Sequence, residues 1–277
     1  MGKRILSTVL LWGVVFSTIW FFRTTGAVVL ATLLSVLTLR ELYQLLGGAG
    51  LAPFHRFGMA FGALITIAPW LHAQVGLPAS AHALALAVIV FSIRILGERD
   101  PATRVEALAS TVFGLVYVAL MLQYLVRIVT PLPGDVVTPD GRLLLCVWVV
   151  AVAKFCDVGA LLTGLAIGRH HMAPQISPKK TWEGAVGGVV VAAGVGALVA
   201  WLGRGTLPPH FNPLIGALLA APVAVVAIVS DLIESIIKRR AALKDSGGGV
   251  PGIGGVFDVS DSLLLTAPLG YFLLGLP

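Results

Sequence analysis

Apolar runs close to twenty residues long recur from one end of this sequence to the other, and their length sets the architecture. An α-helix needs roughly 20 apolar residues to cross the hydrocarbon core of a bilayer, because each residue rises only about 1.5 Å. The segments 5–22, 24–46, 58–77, 80–96, 108–129, 143–168, 184–203, 211–237 and 260–276 approach that requirement. Hydrophobic residues make up 57% of the 277 and charged residues 12%, too little polar surface to cover a soluble domain of this size. The sequence therefore predicts an all-α, polytopic integral membrane protein with about nine transmembrane helices. The first run follows Lys3 and Arg4 as in a signal peptide. It is long for one, lacks a clear cleavage site and continues into another span, so a retained helix is expected.

The formal charge of +6 invites a nucleic-acid reading, but the cations sit in short connections between spans. There they report orientation instead. With the N-terminus inside, Lys3, Arg4, Arg40, Arg56, Arg94, Arg99, Arg104, Arg169, Lys179, Lys180, Lys238, Arg239, Arg240 and Lys244 fall on the cytoplasmic side. Arg23, Arg127, Arg142 and Arg204 fall outside, and Lys154 lies within a span. The asymmetry predicts a multi-pass protein of the cell membrane with two long basic loops, 169–182 and 239–257, facing the cytoplasm. Cys146 and Cys156 lie in apolar runs with no metal or disulfide spacing. The chain reads as one membrane domain, with little chemistry in 1–107 and nearly all of it in 108–277.

Seven of the thirteen acidic residues, Asp157, Glu183, Asp231, Glu234, Asp245, Asp258 and Asp261, lie in the second half at spans, span ends or inside loops. Carboxylates in such an apolar chain are costly and point to function. If the eighth helix continues through Arg239, then Asp231, Glu234, Ser235 and Lys238 form one polar stripe at i, i+3, i+4 and i+7. A Glu234–Lys238 pair holding helices together is the structural alternative. Asp258 and Asp261 have i, i+3 spacing, so both can converge on a hard cation such as Mg2+ or cap the last helix. Between the stripe and that pair runs Gly-Gly-Gly-Val-Pro-Gly-Ile-Gly-Gly, whose amides can approach an anion, although it carries no Walker ending. Ser177-Pro178-Lys179-Lys180-Thr181-Trp182-Glu183-Gly184 places two lysines and two hydroxyls before a helix N-terminus, an anion site or a topology signal. Asp157 follows Lys154 by three residues, as a buried pair or a water-lined polar site. The six histidines lack ligand spacing and are given no catalytic role.

Two segments together resemble the phosphatidate cytidylyltransferases, also called CDP-diacylglycerol synthases. One is Ser-Pro-Lys-Lys-Thr-Trp-Glu-Gly, preceded by Asp157-Val158-Gly159-Ala160. The other is Ser-Asp-Leu-Ile-Glu-Ser-Ile-Ile-Lys-Arg, followed by Lys244-Asp245-Ser246 and by Pro251 to Asp258. The likeness covers roughly residues 110 to 277. It implies a nine-helix fold with a polar cavity facing the cytoplasm, and the joining of CTP to phosphatidic acid to give CDP-diacylglycerol and pyrophosphate. Mg2+, with K+ assisting, is the implied cofactor. The implied partners are CTP, phosphatidic acid and the lipid bilayer, with a homodimer as candidate assembly and no nucleic acid.

Carried over by residue, the resemblance assigns the metal to Asp231 and Asp258 with Asp261 beside them. Catalytic roles go to Asp231, Asp258, Lys238 and Lys244. Substrate contacts go to Ser177, Lys179, Lys180, Thr181, Glu183, Glu234, Ser235, Arg239, Asp245 and Asp157. The chain departs from the family pattern at four positions: Ile253 stands for His, Val259 for Arg, Val158 for Thr and Ser230 for Gly. These departures keep a non-catalytic or altered-substrate paralogue as one competing reading. A secondary transporter, built from broken helices and intramembrane acids, is the other.

Overall fold

A computed structural model describes residues 2–97, 104–241 and 255–276, with side chains from Gly13 onward. Its elements are α1 (Gly2–Gly48), α2 (His55–Val75), α3 (Ser80–Leu96), α4 (Arg104–Gly114), α5 (Leu120–Val129), α6 (Pro139–Ile167), β1 (His171–Ala173), β2 (Ser177–Thr181), α7 (Trp182–Leu202), α8 (Pro213–Arg240) and α9 (Val256–Leu273). Among the described residues, seven helices are long and apolar enough to cross a membrane, counting α4 and α5 as one through a π-helical turn at Leu115–Ala119. Ser80–Leu96 is a shorter apolar helix. The expected spans 5–22 and 24–46 form a single helical element, interrupted at Arg23 (φ 49°, ψ −129°). Arg23 thus breaks the helix geometry without a loop.

Helix ends follow local chemistry. Thr138 precedes Pro139 and its hydroxyl accepts from Gly141 N at 3.1 Å; Thr181 does the same for Gly184 N at 3.1 Å. Each supplies an acceptor to an amide that has no partner inside its helix. Gly76 closes α2 at φ 70°, a conformation that costs other residues strain. Thr32, Thr66, Thr111 and Thr266 within helices, and Thr130 just past the end of α5, each donate to the carbonyl four residues back, so none of these hydroxyls is left unsatisfied.

The chain divides into two compact units, Met1–Thr130 with Ile237–Ser260, and Pro131–Ile236 with Asp261–Pro277. In the first, α1 buries Leu39, Leu42, Tyr43 and Leu46, an i, i+3, i+4, i+7 face. Tyr43 donates to Thr111 O at 2.9 Å and fits because Gly58 leaves room: a Cβ there would stand 2.6 Å from its ring.

The second unit is organised by small residues. On α7, Gly184, Gly188, Ala192, Gly196 and Ala200 recur every fourth position and are all buried. In a bilayer, where lipid is as apolar as leucine, close backbone approach replaces the hydrophobic effect as the force between helices. A Cβ on Gly184 would lie 2.7 Å from Ala160 O and one on Gly188 2.8 Å from Cys156 O, both on α6. Farther along, Gly196 and Gly216 bring α7 against α8 in the same way. Buried Trp148 donates from Nε1 to Gly196 O at 3.2 Å, and Cys156 Sγ lies 3.5 Å from Ala224 O. Both cysteines are free thiols, Cys156 buried and Cys146 partly so.

One expectation changes. The segment 169–182, read as a loop, contains a two-stranded antiparallel hairpin of β1 and β2 in which His171 pairs with Thr181 and Ala173 with Ser177. Pro178 is tolerated because a strand of a two-stranded sheet has one free edge.

Candidate functional site

The start of α9 shows how its first turn is held. Asp258, the third residue of the helix, reaches back to accept from Gly255 N at 2.9 Å, and buried Glu41 accepts from Phe257 N at 2.8 Å. Two otherwise orphaned amides thereby meet carboxylates at the positive end of the helix. Asp258 Oδ1 also pairs with Lys238 Nζ at 3.0 Å. Glu41→Ala would strip the buried Phe257 amide of its acceptor, a cost of about 1–3 kcal/mol. Glu41→Gln keeps an amide oxygen there. Thermal unfolding of the purified protein in detergent should show a clear loss for the first variant and a much smaller one for the second.

The second unit holds the densest polar constellation. Asp231 and Glu234 on α8 and Asp261 on α9 each present a carboxylate oxygen within 4.8 Å of the others. Glu234 is 1% exposed. The hydroxyl of Ser230 donates to Asp261 O and ties the two helices together at this level. Lys154 of α6 stands 3.6 Å from Asp157 Oδ2 and 3.6 Å from Asp261 Oδ1. From β2, Lys180 Nζ reaches Asp231 Oδ2 at 2.5 Å. The two lysines between them answer Asp157, Asp231 and Asp261.

A cavity of about 370 Å³ opens beside Lys180 and Asp231. Asp157, Lys179, Lys180 and Asp231 give it charged lining, and Leu161, Leu165, Met172 and Ile228 contribute apolar wall. Leu161 and Leu165 are also 61% and 78% exposed, so this flank presents apolar side chains outward from a helix long and apolar enough to cross a membrane. The hairpin is braced at its base by Glu183. Its Oε2 accepts from the amides of Arg169 and His170 at 3.2 Å each, and its Oε1 lies 2.5 Å from His170 Nδ1.

The cytidylyltransferase family model matches residues 2–276, essentially the whole chain. The chain belongs to the cytidylyltransferase family. A phosphatidate cytidylyltransferase of Synechocystis is 31% identical over 293 residues, covering 98% of this chain and 95% of that protein. One from Rickettsia bellii is 38% identical over 122 residues, covering 43% of this chain and 53% of its own length. One from Brucella suis is 41% identical over 125 residues, 45% and 44% of the two lengths.

Against the residues singled out from sequence, the fold brings Asp231 and Asp261 together but with Glu234 as third member. Asp258 instead pairs with Lys238 and caps α9. Lys179 and Lys180 reach the cavity, whereas Thr181 lines it while capping α7. Ser177 is partly buried at the start of β2, Ser235 is partly buried on α8, and Arg239 is exposed near its end. Lys244, Asp245 and Ile253 lie outside the described residues. Two residues, Glu41 and His170, escaped the sequence reading, and a third, Lys154, was read only in part. Lys154 was visible as a lysine inside a span, yet only the fold supplies its second partner, Asp261. Glu41 carried the same signal of an acid in an apolar run. His170 has a structural part, as the brace of Glu183.

Proposed function

We propose that the protein is a phosphatidate cytidylyltransferase, joining CTP and phosphatidic acid into CDP-diacylglycerol and pyrophosphate for phospholipid synthesis. The observation that carries this reading is the meeting of Lys180 and Asp231 at a cavity lined by both charged and apolar side chains, of which Leu161 and Leu165 are exposed. A lipid phosphate has that same division of character. The names of the relatives point the same way. The chain acts as one membrane domain with its chemistry in 108–277, and the Lys and Arg distribution supports an N-terminus and site loops on the cytoplasmic side, where CTP is available.

Three carboxylates converging on one point fit a hard divalent cation, and Asp231, Glu234 and Asp261 are the residues that would hold Mg2+. When bound, Mg2+ supplies Lewis-acid neutralisation of phosphate charge. The remaining catalysis belongs to the chain. An oxygen of the phosphatidate phosphate attacks the α-phosphorus of CTP, the bond from that phosphorus to the β-phosphate bridging oxygen breaks, and pyrophosphate leaves. The nucleophile is already anionic, so no general base is required. Lys179 and Lys180, with Ser177 beside them, orient phosphate oxygens and offset charge as the bond shifts. Asp258 keeps the first turn of α9 in place.

The test is formation of CDP-lipid by purified protein from labelled CTP and phosphatidic acid in mixed micelles. Lys180→Met should raise a substrate KM about tenfold to a hundredfold, the worth of one charge-assisted hydrogen bond, with a smaller change in kcat. Wild-type protein that makes no CDP-lipid from any phosphatidate would overturn the reading. Ion flux into nucleotide-free liposomes would favour a transporter instead.

A further inference from the structure

Lys180 comes to the cavity from a hairpin whose two feet are held by one carboxylate. Glu183 lies in the first turn of α7 and reaches across to the chain leaving α6: its Oε2 accepts from the amides of Arg169 and His170 at 3.2 Å each, and its Oε1 from His170 Nδ1 at 2.5 Å. Trp182 N donates to His170 O at 2.9 Å, and His171 pairs with Thr181. The feet also approach closely at Gly168, where a Cβ would stand 2.8 Å from Thr181 Oγ1. Lys180 is the residue before Thr181, so this junction fixes its backbone, and its ammonium then reaches Asp231. Glu183 itself is not among the residues that line the cavity.

We propose that Glu183 and His170 are positioning residues for the transfer described above: they hold the feet of the hairpin together and so fix the place from which Lys180 meets a lipid phosphate. The inference rests on that reading of the cavity. A lysine side chain loses much rotamer freedom when it orders on a ligand, and it orders more readily when its backbone is already in place. Opening the feet makes that placement a cost of binding. The loss is then bounded by what Lys180 contributes, and it vanishes once the ammonium is gone. A Glu183 that met substrate directly would behave otherwise, because its contribution would survive the loss of Lys180.

A double-mutant cycle on CDP-lipid formation by the purified full chain tests this. Glu183→Ala should raise the KM for phosphatidic acid about tenfold at nearly unchanged kcat, and less than about twofold further when added to Lys180→Met. Glu183→Gln, which keeps an oxygen for the two amides, should recover most of the loss. Equal rises in the two backgrounds overturn the proposal. Trypsin cleavage after Arg169 and Lys179, followed by fragment mass in detergent without substrate, reads the junction apart from the reaction. Cleavage there should be about tenfold faster in Glu183→Ala than in wild type, and cleavage no faster overturns the proposal. Should Glu183→Ala fail to fold, His170→Ala takes its place in the cycle: the KM should rise about threefold in the wild-type background and stay unchanged beside Lys180→Met, and equal rises overturn the proposal. Faster hairpin cleavage in a protein that makes no CDP-lipid would sink the enzymatic reading and leave the junction standing. Active protein with equal rises would sink the positioning role alone.

Discussion

Asp231→Asn is expected to slow CDP-lipid formation about a thousandfold, with most of the loss surviving at saturating Mg2+. The size follows from the double engagement of this carboxylate. It is one of three acids converging on a point, and it also holds Lys180 at 2.5 Å. Asparagine preserves the shape but removes the charge, so the cation site weakens and Lys180 loses its anchor in one step. Asp258→Asn should do much less to metal affinity, because Asp258 is committed to Lys238 and to the Gly255 amide. Initial rates over a Mg2+ titration separate the two. A drop of less than about tenfold for Asp231→Asn would remove that residue from the proposed machinery.

Gly188→Leu should prevent stable folding altogether. A single Cβ at Gly188 already meets Cys156 O at 2.8 Å and Ala160 Cβ at 3.1 Å, so a leucine must force α6 and α7 apart. Overpacking against side chains costs about 1–3 kcal/mol; here one obstacle is backbone, which cannot rotate away, and the upper end of that range or more is expected. The same helix provides its own control. At Gly194 the position a methyl group would take has nothing within 4 Å, so Gly194→Ala should be neutral or gain about 0.5–1 kcal/mol from helix propensity. Thermal stability by fluorescence-detected size exclusion reads both, and equal behaviour of the two variants would contradict the seam described above.

The helices were legible because bilayer thickness imposes a length that composition reveals directly; α6, α7 and α8 lie within a few residues of the runs read from sequence. The hairpin was not, since Ser-Pro-Lys-Lys-Thr has no alternation of polar and apolar residues to announce a strand. The carboxylates were legible as suspects but not as partners. Spacing on one helix brought Asp231 and Glu234 together and equally offered Asp258 beside Asp261. Only the capping geometry of α9 separates those two, because Asp258 falls at its third residue and turns back to its start. Lys154 shows the same limit, for a local pair with Asp157 is visible in sequence whereas a contact with Asp261 is a property of the fold.

The flank formed by Leu161 and Leu165 carries a consequence for how such a protein samples its surroundings. A molecule that arrives through that side diffuses in two dimensions, and its effective concentration is its mole fraction in the sheet of lipid. Diluting a vesicle suspension with buffer should then leave turnover per protein unchanged, while mixing in inert phospholipid should slow it. The membrane would act as the reaction vessel, and its composition as the control on supply.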